Sequence, residues 1–154
     1  MPRRKGLGRG GAALLLAALL PPMLQALEGL PQGALAIDGR IVPARIAATP
    51  EARAQGFQGA SPEAIARERI YFSWPSPRRP AFHMHNVPAP LAIAWIGPQQ
   101  RVIAVERMAP ERAGYRPPAP VSAALELSPA EAERLEITPG VTIRPAAAPG
   151  AAGE

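Results

Sequence analysis

The chain reads RPAFHMHNVPAPLAIAWI from Arg79 to Ile96, and this stretch decides the fold. Side chains of a strand alternate between its two faces, so a strand over Phe82–Asn86 points Phe82 and Met84 toward a core and the two histidines away from it. The Val-Pro-Ala-Pro segment that follows cannot continue a central strand, because proline lacks the amide donor. Residues 91–96 are then apolar throughout. We therefore predict a strand, a proline-rich elbow and a fully buried strand.

Turn and cap residues indicate the neighbouring elements. Asp38-Gly39 can adopt the positive φ angles of a tight turn and predicts a hairpin over residues 34–47. A serine or threonine followed by proline, with a glutamate close behind, is typical of a helix start, because the hydroxyl caps the helix and proline suits its first position. These starts are Thr49, Ser61 and Ser128, and Gly56 can end the first helix.

Three more segments have the alternation or the aromatic content of strands, namely residues 70–74, 121–127 and 141–144. In the second of these, Leu125 and Leu127 are predicted to face inward and Glu126 outward. The proline-rich run 108–120 is predicted to be a long, partly extended loop. Short strands interrupted by small helices predict a mainly-β fold, a small β-sandwich or open barrel-like domain with two or three short helices.

The N-terminus has the three parts of a secretory signal peptide. Basic residues come first, an apolar run over residues 10–20 follows, and Pro21-Pro22 and then Ala26 close it. We therefore predict a signal peptide over residues 1–26 and a periplasmic or secreted protein. A retained membrane anchor is the alternative, but a span needs about 20 apolar residues, and the prolines interrupt this run sooner. No stable membrane span is expected after cleavage.

Charge and composition exclude several kinds of protein. The chain has 17 basic and 12 acidic residues, and residues 1–26 include four basic and no acidic ones, which leaves a net charge of +1. Nucleic-acid binding needs a basic patch on the folded domain, so we expect none. Cysteine is absent, which excludes disulfides and a lipoprotein anchor. After the signal we predict a linker over 27–33, one domain over 34–145 and a disordered tail over 146–154.

Five blocks of the sequence, in order, resemble the family called domain of unknown function 192, small bacterial and archaeal proteins that are often exported. Thr49–Phe57 resembles its motif TPEERxxGL, and Phe82–Val87 stands where the family has FWMKNT. Residues 70–74 stand where the family has MLFxF, and residues 90–93 where it has PLDI. The last block combines residues 125–127, similar to LEL, with residues 137–140, similar to GIxxGD. The resemblance covers residues 37–143. It implies a compact β-sandwich or barrel-like domain with small helices and no established activity.

This chain departs from the family pattern mainly at polar positions. Four of these positions are apolar here, Ala60, Val87, Ala92 and Val141, where the family has Arg, Thr, Asp and Asp. The family's Trp and Lys are replaced by His83 and His85, while Asn86 and Glu126 are among the few polar matches. The departures imply that a polar site shared by the family is largely lost in this member, which argues against an enzyme.

Our leading hypothesis is a non-enzymatic binding or interaction module of the cell envelope. Its partner would be an unknown small ligand or an envelope protein, and no cofactor is expected. We predict that its groove is built around Arg79, His83, His85 and Asn86. The alternative for Asn86 is a hydrogen bond to the backbone at the proline elbow.

A metal-handling protein is the alternative hypothesis. Histidines two apart on a strand can reach one ion, so His83 and His85 can form half of a copper or zinc site, and Met84 or Met108 would suit copper(I). Exposed strand histidines are the simpler interpretation, because no third ligand is evident in the sequence.

An envelope-modifying hydrolase is the weaker alternative. Glu106 and Glu126 can serve as acid and base groups in principle. Each belongs to an alternating strand pattern, however, and is therefore predicted to face solvent. We assign no catalytic residue.

Overall fold

The elements begin and end near the turn and cap residues that the sequence indicates. The structure, a computed structural model, describes residues 26–147. Of these residues 44% lie in strands and 17% in helices, which confirms the mainly-β prediction. In chain order the elements are β1 (Gln32–Ile37), β2 (Arg40–Ala47), α1 (Pro50–Gln55), α2 (Pro62–Arg67), β3 (Ile70–Arg78), β4 (Phe82–His83), β5 (Leu91–Ile96), β6 (Val102–Met108), β7 (Ala113–Tyr115), β8 (Val121–Leu127), α3 (Pro129–Arg134) and β9 (Ile143–Ala146).

Seven strands form one sheet in the order β6-β5-β8-β3-β2-β1-β9, and β4 pairs with β7 in a small second sheet. β2 and β3 are parallel, joined by a connection that contains α1 and α2, whereas the other neighbouring strands are antiparallel. Arg101 and Thr142, just outside the two edge strands, form an isolated bridge, and the Val102 N–H donates to the Val141 carbonyl at 2.9 Å. The sheet therefore curls until its edges touch at one end, without closing into a barrel.

β5 is buried along its whole length, as its apolar sequence predicts. Leu91, Ile93 and Trp95 belong to one core cluster, together with side chains from α2 and the segments around β4. The alternate residues of the strand belong to a second cluster, with side chains from β1, β9 and α3. Because both faces of the strand are covered, polar alternation is absent from its sequence.

The predicted hairpin and helix starts are confirmed. Asp38 and Gly39 have φ angles of 45° and 83° between β1 and β2, as a two-residue turn requires. The side-chain oxygens of Thr49, Ser61 and Ser128 each accept a hydrogen bond of 3.2 Å from the backbone N–H three residues later. Each cap is followed by proline, and each helix is only six residues long.

The strand predicted over Phe82–Asn86 is wrong in its length. β4 ends at His83, and Asn86 lies in a turn with φ 58°. The Met84 N–H donates to the Arg112 carbonyl at 2.6 Å and Met84 is fully buried, so the segment keeps its inward face after leaving the ladder. Both histidines are exposed. The predicted directions of Phe82, Met84 and the histidines are thus retained, whereas Asn86 is exposed rather than inward.

The predicted outward direction of Glu126 is also wrong. Leu125 and Leu127 are buried in the second core cluster, and Glu126 points to the opposite face as alternation requires. That face is covered as well, so only 4% of the Glu126 surface is accessible. Glu106, also predicted to face solvent, is half-buried and accepts a hydrogen bond of 3.5 Å from the Trp95 indole N–H.

One predicted loop contains a strand, and residues at both ends of the predicted domain also belong to the folded structure. The run 108–120 contains β7, which pairs with β4. In the linker predicted over 27–33, Leu27 and Leu30 are buried in the first core cluster. Ala146, placed at the start of the tail, is the last residue of β9. The remainder of the predicted tail, from residue 148, and residues 1–25 of the predicted signal peptide lie outside the described residues.

Candidate functional site

A pocket of about 240 Å³ lies between the end of α1, β3, the segment leading into β4, and β8; we call it the Glu126 pocket. It is lined by Arg53, Ala54, Gln55, Gly56, Phe57, Gln58, Phe72, Trp74, Pro80, Ala81, Phe82, His83, Val87 and Glu126. Arg53 and Glu126 are the only members of this lining that carry a formal charge when ionised, apart from the imidazole of His83. The pocket therefore combines apolar walls with a few polar groups, which is typical of small-molecule sites.

Aromatic rings form much of its wall. The Phe82 ring packs edge-to-face against Phe72, Trp74 and Trp95, with ring centroids separated by 5.0, 6.1 and 5.3 Å. This geometry directs the positive edge of one ring at the negative face of another and stabilises the cluster. Phe72 and Trp95 are buried, whereas Trp74 and Phe82 are only half-buried. The fixed rings thus give the pocket a rigid apolar wall.

Glu126 is the buried polar group of the pocket. Its strand lies between β3 and β5, where it is opposite Ile70 on one side and Ile93 on the other. Burial raises the pKa of its carboxyl group to about 8. The cause is burial, which disfavours the charged form, and the ion pairs of residues 26–147 do not include Glu126. At neutral pH Glu126 is therefore largely an uncharged carboxylic acid that faces the pocket.

Gly56 lies beside this carboxyl group. Its φ and ψ angles are 47° and −138°, a conformation that glycine adopts far more readily than other residues. A Cβ atom there would lie 3.7 Å from Oε2 of Glu126 and 3.6 Å from Cζ of Phe72. Both are ordinary van der Waals distances, so the backbone conformation rather than the space favours glycine where α1 ends beside the pocket.

Arg53 is half-buried and contributes a positive charge to the lining of the pocket. Its guanidinium lies 6.0 Å from the centroid of the Trp74 ring, within cation–π range. Its Nη1 donates to the carbonyl oxygens of Ala48 at 2.7 Å and Ser73 at 2.9 Å. The ion pairs of the described residues do not include Arg53. Its position is set by α1 and β3, while its charge is left without a carboxylate partner in this part of the chain.

The structure brings together three of the four predicted site residues. The rings of His83 and His85 are 5.0 Å apart, and the His85 N–H donates to Nδ1 of His83 at 3.2 Å. Glu111 joins them, since its carboxylate lies 3.6 Å from Nδ1 of His85 and accepts a 3.1 Å hydrogen bond from the Asn86 N–H. Of the four, only His83 lines the Glu126 pocket.

Arg79, the fourth predicted site residue, forms its hydrogen bond elsewhere. Its guanidinium donates to the carbonyl oxygen of Pro118 and is exposed. Within residues 26–147, no group of three or more His, Asp or Glu side chains is arranged to hold a metal ion. Nor does any helix in that range have the length and apolar character needed to cross a bilayer.

Sequence reasoning named Glu126 only as a possible acid or base group that faces solvent, and it did not single out Arg53. A signal for Glu126 exists, because both Leu125 and Ala124 beside it are apolar and a half-exposed strand would have a polar residue at position 124. Apolar residues at odd and even positions indicate a strand covered on both faces, in which a glutamate is buried. Arg53 has no comparable local signal, since arginine is common in the last turn of a helix.

Comparisons with known proteins agree with this architecture. No curated protein shows significant similarity to the chain. A solved structure of a protein of unknown function from Novosphingobium aromaticivorans superposes with a TM-score of 0.68 at 25% identity, covering 77% of this chain and 88% of that one. A protein from Sinorhizobium meliloti, described as a candidate transcription regulator, has a TM-score of 0.64 at 20% identity and covers 75% and 95%. At that identity the second likeness shows the fold alone.

The family comparison covers almost all of the β domain. The model of the family DUF192, described as "Uncharacterized ACR", matches residues 34–145. This range runs from β1 to β9 and includes every residue that lines the Glu126 pocket. The resemblance seen in the sequence motifs is thereby confirmed, and the chain belongs to the DUF192 family.

Proposed function

We propose that this protein is a small-molecule-binding module and that the Glu126 pocket is its binding site. Glu126 is the observation that supports the proposal. Glu126 is only 4% accessible and has no ion-pair partner among the described residues. Removing a carboxyl group from water in this way is unfavourable, and carboxyl groups in such surroundings are concentrated at functional sites. A leucine at this position would suit the apolar surroundings without that penalty. The rigid aromatic wall and the unpaired charge of Arg53 surround the same space.

The lining favours binding over catalysis. Covalent catalysis needs a nucleophile beside a base, and general acid–base hydrolysis usually needs two acid or base groups flanking the scissile bond. No serine, threonine, tyrosine or lysine lines the Glu126 pocket, and Glu126 is its sole carboxyl group among the described residues. A hydrolase would therefore have to rely on Glu126 and the exposed His83. A binding site needs only the contacts that are present.

A screen of small ring compounds by ligand-observed NMR tests the proposal with the mature chain. Binders are expected, and Glu126→Leu should abolish or strongly weaken their binding because it removes the polar group that fixes their orientation. Glu106→Gln is the matched control, since it changes a half-buried carboxyl group outside this lining. The proposal fails if no compound binds, or if the binders bind wild-type protein and Glu126→Leu equally well.

We further propose that the module acts in the periplasm or outside the cell. The support is the basic, apolar and proline-ended order of residues 1–26. Cleavage after Ala26 would keep Leu27 and Leu30, which the core needs. Fractionation followed by N-terminal sequencing is expected to find a mature chain in the exported fraction that begins near Leu27. A full-length chain that stays in the cytoplasm would refute export.

A further inference from the structure

We infer that the ligand of the Glu126 pocket is a small aromatic or alicyclic monoanion whose uncharged end carries a hydrogen-bond acceptor such as a carbonyl oxygen. The inference rests on the proposed function and names the chemical class of its ligand. Three features of the lining support it: the charge of Arg53, the aromatic wall, and the carboxyl group of Glu126.

The charge of the lining favours an anion. Arg53 makes hydrogen bonds to two backbone carbonyls and stacks near Trp74, but it forms no ion pair with a carboxylate of the described residues. Glu126 is uncharged at neutral pH because burial raises its pKa to about 8. The lining of the pocket is therefore electropositive. A carboxylate can pair with the free N–H groups of the guanidinium, which form charge-assisted hydrogen bonds.

The walls favour a small flat apolar body. Phe72, Trp74 and Phe82 present ring surfaces to the pocket and are fixed by their edge-to-face contacts. The volume of about 240 Å³ is below the roughly 300–1,000 Å³ typical of drug-sized ligands. One ring with short substituents therefore suits the space better than a peptide or an oligosaccharide.

Glu126 selects the group at the other end. Burial is the cause of the raised pKa of Glu126. A protonated carboxyl group can donate one hydrogen bond. A carbonyl or ether oxygen of the ligand would accept it. An ammonium group would instead need an ionised Glu126, and the burial that raises the pKa of this carboxyl group opposes its ionisation. The acceptor end is therefore favoured over a cation.

Four probes test this inference on wild-type mature protein at about pH 6.5, below the pKa of Glu126 near 8. They are acetylbenzoate, the nearly isosteric isopropylbenzoate without an acceptor, aminomethylbenzoate with an ammonium group, and acetophenone without the anion. The three benzoates are used in both meta and para forms. Acetylbenzoate is expected to bind about tenfold more tightly than each of the other three, as the loss of one hydrogen bond or ion contact implies. With the meta and para forms of the three benzoates there are seven compounds, and NMR titration gives a dissociation constant for each.

Variants assign the two ends of the ligand. Glu126→Gln retains a donor and should keep the preference for acetylbenzoate over isopropylbenzoate, whereas Glu126→Leu should lose it. Arg53→Gln should lose the preference for acetylbenzoate over acetophenone. Arg67→Gln, which changes an exposed arginine in the last turn of α2, is the matched control and should change neither preference. Thermal melts identify any variant that is unfolded, and the wild-type probe series decides the matter without them.

The outcomes separate this inference from the proposed function. Tightest binding of aminomethylbenzoate, together with loss of binding in Glu126→Gln, would show a cationic ligand and overturn the inference while the binding function stands. Equal binding of acetylbenzoate and acetophenone would overturn the anionic end. If none of the four probes binds but other ring compounds bind in a Glu126-dependent way, the ligand class is wrong and the proposed function remains. If nothing binds at all, both fail.

Discussion

Glu126 determines the chemistry of the pocket at the scale of single residues. Both neighbouring strands place isoleucines beside it, and the space in front of it is walled by Phe57 and Phe72. In these surroundings the uncharged acid is favoured, and burial raises the pKa to about 8. The protonated group can donate a hydrogen bond that an ionised glutamate cannot. The low polarity around this residue therefore decides what it can bind.

The raised pKa of Glu126 predicts that stability falls as pH rises. A glutamate has a pKa of about 4.3 in the unfolded chain, whereas the pKa of Glu126 in the folded protein is about 8. Between these values the folded state binds one more proton, so increasing pH favours unfolding by at most about 1.4 kcal/mol per pH unit. Urea unfolding of wild-type protein and Glu126→Gln should show this slope in the wild type alone. Parallel pH profiles for the two proteins would contradict the assignment.

Phe82 and the two histidines beside it are predicted to differ sharply in their effect on stability. Phe82 packs against three aromatic rings, so Phe82→Ala should lower the free energy of unfolding by about 3–5 kcal/mol through lost contacts and a cavity. His83→Ala and His85→Ala change exposed residues and should each stay within about 0.5 kcal/mol. Chemical denaturation in the presence of a chelator measures all three. Equal losses would contradict the inward and outward assignment of these side chains.

At the scale of elements, α3 is held to the sheet by its buried Ala132 and by the carboxylate of Glu131. Glu131 accepts hydrogen bonds from Arg134 at 2.6 and 2.7 Å on its own helix, and from Arg69 just before β3. Arg69 also donates to the Pro43 carbonyl of β2 at 3.0 Å. The hydrogen bond from Arg134 and then the contacts with Arg69 lower the pKa of Glu131 to about 2 against the opposing effect of burial. A helix of six residues is too short to be stable alone and depends on such contacts.

Glu131→Gln is therefore expected to destabilise the domain by roughly 1–2 kcal/mol at neutral pH, the range for a hydrogen bond to a charged group after allowance for solvent. Because the folded pKa is lowered, this stabilisation is complete above about pH 5 and is lost as pH falls toward 2. The difference between wild type and variant should accordingly shrink in acid. Glu133→Gln, at an exposed position of the same helix, is the control and should stay within about 0.5 kcal/mol.

At the scale of the whole molecule, a few hydrogen bonds fix the curl of the sheet. Asp38, in the turn between β1 and β2, donates its N–H to the Thr142 carbonyl at 2.9 Å and accepts from the Thr142 N–H at 2.8 Å through Oδ1. The Ile143 N–H donates to the Gln100 carbonyl at 2.9 Å beside the start of β6. Asp38 and Thr142 are 104 residues apart in the chain. The Asp38–Thr142 pair extends the pairing of β1 with β9 and holds Thr142, which forms one side of the closure. The Ile143–Gln100 hydrogen bond joins this segment to the start of β6, at the other edge of the sheet.

Replacing Asp38 tests this closure. Asp38→Ala removes the acceptor for Thr142 and places alanine at a φ of 45°, so we expect a loss of about 1–2 kcal/mol and faster hydrogen exchange of the Thr142 amide. Asp38→Asn keeps a side-chain oxygen and a residue that tolerates this conformation, and should lose less than half as much. If both variants lose the same amount, the side-chain contact with Thr142 does not stabilise the closure.

Much of the fold was predictable from local features of the chain. Asp38-Gly39 predicted the hairpin, and three capping residues followed by proline predicted the helix starts. The apolar run of β5 predicted a strand that is buried on both faces. These features act within a few residues, because dihedral preferences and strand periodicity are local properties. The candidate site was less predictable. Of the groove proposed around Arg79, His83, His85 and Asn86, only His83 lines the pocket.

By itself, the sequence determined the positions of most elements, the burial of β5 and the inward direction of Phe82 and Met84. Only the tertiary structure decided that the second face of β8 is covered. Alternation predicts which residues share a face, but whether that face meets water depends on what packs on it from elsewhere in the chain. Here that cover comes from the segment around α1 and β4, which places Gly56, Phe82 and Glu126 around one pocket. Burial of Glu126, and the raised pKa that follows, is therefore a property of the folded molecule.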